Sequence, residues 1–343
     1  TRKAIEIQPN FADAHLNLGS ILKDLGKLQK AESSTRKAIE LNPNFADPHL
    51  NLGIILRDLD KIKESFDSYL RVIEINPTYP NIYSYITELL KDSDLSQLNK
   101  SDLKNILNRL LEKDNVSHNE LFKAFNFLYH NKIISNLEKL DSDYSKNELI
   151  YNNKLIINAL KKIIFSDVKL EKVLTKIRRY ICKRIANNKE NTYYSELEFI
   201  IALGEQCFLN EYIYSLTKEE EVFLDIISKR CQDNELNEIN ISVLSCYSPL
   251  YKLLDRIPSL KSFNSSNQSF KELIELQIIE PLQEIELSQN IKKIGNINDD
   301  ISQKVKSQYE ENPYPRWRYK HHLERQKISI VQGINENIYP NSI

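Results

Sequence analysis

Two asparagines, Asn17 and Asn51, occupy the same place in two stretches that are nearly identical. Residues 1–19, TRKAIEIQPNFADAHLNLG, return at 35–53 as TRKAIELNPNFADPHLNLG, with sixteen of nineteen positions identical. A primary amide both donates and accepts hydrogen bonds, so a row of amides along one face can grip the backbone of an extended peptide. Stacked repeats place equivalent positions side by side, which would make the two amides rungs of a ladder. Asp13 and Asp47 recur at the same offset. A plainer use stands beside this one: exposed Asn and Asp also keep a helix soluble, and two rungs are few. The sequence leaves both open.

Other constellations point away from catalysis. Glycine occurs only six times, and no P-loop, G-x-G-x-x-G turn, G-x-S-x-G elbow or Ser-His-Asp order is present. His321 and His322 are adjacent, and neighbours on a helix face different ways. His118 and His130 have no carboxylate or cysteine at ligand spacing. Cys182, Cys207, Cys231 and Cys246 are widely separated, and none belongs to a C-x-x-C. That spacing argues against a metal and for reduced core thiols in a cytoplasmic protein. Basic and acidic residues balance at 47 to 48, so no global field selects nucleic acid or membrane. Locally, residues 151–190 carry eleven basic and three acidic side chains, and residues 191–240 carry the reverse. The basic run 169–184, with Tyr180 for stacking, could contact nucleic-acid phosphates. Adjacent excesses of opposite sign favour mutual neutralisation instead.

The elements that must position these side chains are helices. Pro9, Pro43 and Pro77 mark the period of the repeat. In each period an apolar stripe at helical spacing appears twice: Ala14, Leu18, Ile21, Leu22 and Leu25, then Ala31, Thr35, Ala38 and Ile39. Proline ends the second helix before the next pair begins. Beyond residue 90 the apolar residues keep spacings of three and four, with Ser101 expected as the cap of one helix, and alternating strand patterns are scarce. The stretch FIIALGEQCFL at 199–209 reads as a buried helix, and no apolar run approaches the roughly eighteen residues of a membrane span. The expected fold is all-α: a repeat array over 1–90, a further helical domain over 91–307 and an extended linker over 308–343.

The period resembles that of the tetratricopeptide repeat. Counting from Ala12, the small eighth and twentieth positions are Gly19 and Ala31, the twenty-seventh is Ala38 and the thirty-second Pro43. In the next repeat these are Gly53, Ser65, Val72 and Pro77. His15 and His49 depart from the large residue usual at position four, which weakens the expected packing. A third repeat from Pro80 keeps Tyr83, Ile86 and Leu90 but has Thr87 where glycine is expected, so the array dies out near residue 90. It also opens within a second helix, which implies repeats upstream of Thr1. In arrays similar to those of O-linked N-acetylglucosamine transferases, the position of Asn17 and Asn51 lines the concave groove, which implies a protein or peptide partner there.

LGEQCFLNEYIY at 203–214, LSCYSPLYKLL at 244–254, IIEPLQEIEL at 278–287 and QYEENPYPRW at 308–317 look like a family of marine bacterial proteins. In these, tetratricopeptide repeats and a helical region precede a class I S-adenosylmethionine-dependent methyltransferase domain. The resemblance implies that Tyr309, Pro313, Tyr314, Pro315 and Trp317 form the linker into that domain. Pro313 and Pro315 force extended geometry on their predecessors, and Tyr314 and Trp317 would be anchors against the next surface. The chain has no methionine and ends before any glycine-rich turn, so it is expected to be a fragment. On this reading it is an interaction and substrate-presenting region with no catalytic residue or cofactor of its own. S-adenosylmethionine would be bound by the following domain. A stand-alone scaffold that binds peptides is the alternative.

Overall fold

The computed structural model describes residues 1–140, 148–187, 196–233, 236–290 and 299–311, and among them there is no β-strand. The first helices are α1 (Arg2–Ile7), α2 (Ala12–Asp24), α3 (Leu28–Leu41), α4 (Ala46–Asp58) and α5 (Ile62–Ile75). Helices α2 and α3 pair, α4 and α5 pair, and α3 packs on α4 to stack the two pairs. Glycine sets the close approach within each pair. A Cβ on Gly19 would sit 2.2 Å from the Thr35 hydroxyl, and one on Gly53 would sit 2.4 Å from the Tyr69 ring. Thr35, Tyr69, Ala31 and Ala38 are all fully buried. Between the helices of the first pair, Gly26 takes a left-handed φ of 69°, and Asp60 takes φ 59° at the same place in the second pair.

The stripe of α2 differs from expectation at two positions. Ile21 and Leu25 are exposed, whereas Ile55, the counterpart of Ile21 in the next repeat, is fully buried with Leu22 and Ala31. Ile55 packs against Ala31 of α3, the helix before its own.

The next helices are α6 (Ile82–Asp92), α7 (Lys100–Leu111), α8 (Phe122–Leu140), α9 (Glu148–Tyr151), α10 (Lys154–Lys162), α11 (Val168–Asn187), α12 (Leu197–Leu209) and α13 (Lys218–Gln232). Successive contacts link α6, α8, α11 and α13 in one row, and α7, α10 and α12 in a second. Asn99, not Ser101, caps α7: its side chain accepts from the backbone of Ser101 and Asp102, and Ser101 lies inside the first turn. An amide placed earlier in the chain reaches the free N–H groups, so the serine is not needed. Every residue of α12 except Glu198 is buried. The helix is held by α10, α14 (Glu238–Ser245) and α15 (Gln268–Ile274). A π-helical turn at Glu275–Ile279 leads into α16 (Glu280–Asn290), and α17 (Asp300–Glu311) follows.

Gln277, fully buried in the π-helical turn, satisfies its whole amide. It donates to the carbonyls of Gly204 (2.9 Å) and Ser245 (3.3 Å), and accepts from Tyr212 Oη and the Leu250 N–H, both at 3.3 Å. An amide with all partners in place stitches elements far apart in sequence without an unpaired polar group. The apolar core runs from Ile62 to Ile278 as one cluster. Among the described residues no helix is long and apolar enough to cross a membrane.

Candidate functional site

The four side chains expected on the binding face lie on α2 and α4, helices that touch one another. Asp13, Asn17 and Asp47 are exposed and Asn51 is half-buried. The structure gives them different surroundings. Asn51 Nδ2 donates to Ser20 Oγ at 3.1 Å, and that hydroxyl donates to the Leu16 carbonyl at 3.3 Å. The amide of the second repeat is therefore fixed on the helix of the first, and its Oδ1 remains an acceptor. Asp47 accepts from Tyr79 Oη at 2.6 Å. Burial and this bond together push the Tyr79 phenol up to about 12. For Asp13 the equivalent of Tyr79 is Phe45, which has no hydroxyl to give. Both aspartates stand in the first turn of their helix, where the helix dipole favours negative charge.

Other side chains follow the same period as the amides. Tyr85 stands one period after Asn51, half-buried, with its ring 6.2 Å from that of Tyr69. Lys23, Arg57 and Lys91 are also one period apart. Arg57 reaches Glu88 at 3.0 Å and Lys91 reaches Glu120 at 3.2 Å, each bridging to a later helix. The residues at position four of the three repeats are donors. His15 Nε2 lies 2.9 Å from the Pro9 carbonyl, His49 Nε2 lies 3.0 Å from that of Pro43, and Tyr83 Oη lies 3.3 Å from that of Pro77. A carbonyl only accepts, so each imidazole carries its proton on Nε2. These bonds tie the start of a repeat to the proline turn before it, a polar substitute for the expected large side chain.

The basic run on α11 is largely paired. Arg178 and Arg179 both meet Glu220 (3.2 and 3.0 Å), Lys183 meets Glu219 (3.0 Å) and Arg184 meets Glu196. Arg178 is 2% exposed, stacks 4.1 Å over the Tyr247 ring and donates to the Ser215 carbonyl at 2.8 Å. Tyr247 Oη donates to the same carboxylate at 2.9 Å.

The four cysteines are free and buried. His130 approaches Asp167 at 3.6 Å, a pairing between distant segments that spacing could not reveal. Among the described residues no group of three His, Cys, Asp or Glu side chains is placed to hold a metal ion. Of the expected linker, Tyr309 falls in α17, while Pro313, Tyr314, Pro315 and Trp317 lie outside the described residues, as do His321 and His322.

Comparison with known families agrees with the geometry of the first four paired helices. No curated protein matches the chain. One tetratricopeptide-repeat model matches residues 12–45 and a second matches residues 46–79, together well under half of the chain. Residues 12–79 are two tetratricopeptide repeats.

Proposed function

We propose that the chain is a protein-interaction scaffold that holds an extended protein segment along the exposed face of α2 and α4. The observation that carries this is the fixed amide of Asn51. Its NH₂ group is bonded to Ser20, so its acceptor is oriented before any partner arrives. Orientation in advance lowers the entropic cost of binding. Asn17 and Tyr85 continue the row one period to either side. Selection of peptides from a display library, followed by calorimetry, provides the test. Asn17→Ala combined with Asn51→Ala is expected to weaken the selected peptide roughly tenfold or more, as loss of two hydrogen bonds implies. Stability should change little, because only the neutral Asn51–Ser20 bond is lost, about 0.5–1.5 kcal/mol. Equal binding by the double variant would remove the ladder from the account.

A second reading makes this scaffold the substrate-presenting part of an S-adenosylmethionine-dependent methyltransferase of unassigned acceptor. Its support is the resemblance of residues 203–214, 244–254, 278–287 and 308–317 to proteins of that architecture. On this reading the reading frame after Ile343 should encode an apolar strand and a turn with several glycines, the arrangement that lets backbone approach such a cofactor. Residues 1–343 alone should not bind S-adenosylmethionine. An in-frame stop directly after Ile343 would leave the stand-alone scaffold. Free, buried thiols support a reducing, cytoplasmic setting for either reading.

A further inference from the structure

The segment between α12 and α13 is pinned to its surroundings, yet it holds two large apolar side chains out in water. Helix α12 ends on two left-handed residues, Glu211 (φ 57°) and Tyr212 (φ 56°), the first in a place where glycine is usual. Tyr212 Oη donates to Gln277 Oε1 at 3.3 Å. Tyr214 is buried, with the Arg178 guanidinium 5.8 Å from its ring centre. The Ser215 carbonyl accepts from Arg178 at 2.8 Å and from Arg179 at 3.3 Å, and its hydroxyl meets Arg179 at 3.0 Å. Beside these fixed points Ile213 and Leu216 are 65% and 50% exposed. Open apolar side chains on a fixed backbone are ready anchors, because little order remains to be imposed when a partner arrives.

The cations next to them are those of α11 that α13 leaves over. Lys172, Lys176 and Lys183 share a face of α11 with Arg179, at spacings of seven, three and four residues. Arg179 touches Ser215, so this face adjoins the segment. Lys183 is taken by Glu219 and Arg179 by Glu220. Lys172 and Lys176 are exposed, and neither pairs with a carboxylate among the described residues. The acids nearest to them in sequence are engaged elsewhere. Asp167 caps α11 through the N–H groups of Lys169 and Leu170 and meets His130 at 3.6 Å. Glu171 is half-buried toward Tyr214, whose phenol is pushed up by burial, by Cys207 and by the Glu171 charge.

We propose that Ile213, Leu216 and the face of α11 bearing Lys172 and Lys176 dock a protein segment that carries aliphatic and carboxylate side chains. The aliphatic groups would cover the two anchors, and the carboxylates would meet the two ammonium groups. A phosphodiester chain would leave Ile213 and Leu216 uncovered. A flat anionic membrane would also meet the exposed Glu211, Glu219 and Glu221, which a narrow segment can avoid. The surface shares no residue with the row of Asn17 and Asn51 and does not rest on that reading.

The test uses the whole chain with methyl-resolved NMR and two capped hexapeptides, Asp-Leu-Glu-Glu-Leu-Asp and its amide analogue Asn-Leu-Gln-Gln-Leu-Asn. The acidic peptide should shift the methyl signals of Ile213 and Leu216. Affinity should fall at least about fivefold for the amide analogue, for Lys172→Gln with Lys176→Gln, and for Ile213→Ser with Leu216→Ser. The substituted side chains are exposed, so both double variants should melt as the parent does, which separates lost binding from lost fold. The Asn17→Ala, Asn51→Ala chain should bind the acidic peptide as the parent does. Unmoved methyl signals, or equal affinity for the amide analogue, would overturn the proposal and leave the reading of the other face intact. A response of the same methyl signals to phosphatidylserine vesicles or oligothymidine, without one to the peptide, would overturn it as well.

Discussion

Glu220 gathers more of the molecule than any other carboxylate described. It closes a capping box with Thr217 at the start of α13, accepts from Tyr247 and neutralises Arg178 and Arg179. Burial alone would raise its pKa. The bonds from the Thr217 side chain and backbone and from Tyr247, with the charge of Arg178, hold it below the ordinary value instead. A carboxylate with a depressed folded pKa stabilises fully above its unfolded value, about 4.3, and that stability is lost as pH falls through the folded value. Removing one partner of a buried pair strands the other charge, so Glu220→Ala should cost about 3–5 kcal/mol in urea unfolding at pH 7. The difference from the parent should shrink below about pH 4. A cost under about 1 kcal/mol would mean that Arg178 finds another partner. Thr217 and Glu220 stand three residues apart, whereas Arg178 and Tyr247 come from distant segments that no local pattern connects.

At the scale of elements, the repeat carried most of what could be read. Identity from one period to the next placed the helix pairs, and the small residues Gly19 and Ala31 mark where the first pair packs closely. What the period could not supply was the neighbour. Ile21 and Ile55 are the same residue in the same frame, yet one is 46% exposed and the other fully buried, because different helices lie against them. Gly53→Ala tests the close approach, since its new methyl would meet the ring of the fully buried Tyr69. The gain in helix propensity, about 1 kcal/mol, should be outweighed by overpacking of about 1–3 kcal/mol, giving a net loss in melting temperature. Gly19→Ala meets a single hydroxyl instead, so adding Thr35→Ala should recover most of its loss. By contrast, Arg57→Ala removes an exposed bridge to Glu88 and should change stability by no more than about 1 kcal/mol.

Across the whole molecule, the buried apolar cluster from Ile62 to Ile278 is continuous, while Leu22, Ala31 and Ile55 form a small cluster of their own. Helices that bury little open first, so amide exchange should be faster in α2 and α3 than in α12, where all but Glu198 is buried. Equal protection throughout would contradict that ranking. Composition and spacing announced an all-helical chain, but not the joining of its later helices into one core, because the latch at Gln277 depends on contacts with Gly204, Ser245, Tyr212 and Leu250 across long separations. The proposed binding of an extended segment belongs to this scale too, since its rungs come from successive repeats. The most direct measurement is an amide-resolved NMR map of the chain with a selected peptide. The side-chain NH₂ signals of Asn17 and Asn51 should shift together and saturate at one peptide concentration, accompanied by the backbone signals of Asp13 and Asp47. Shifts confined to other helices, with both amides unmoved at saturation, would contradict it.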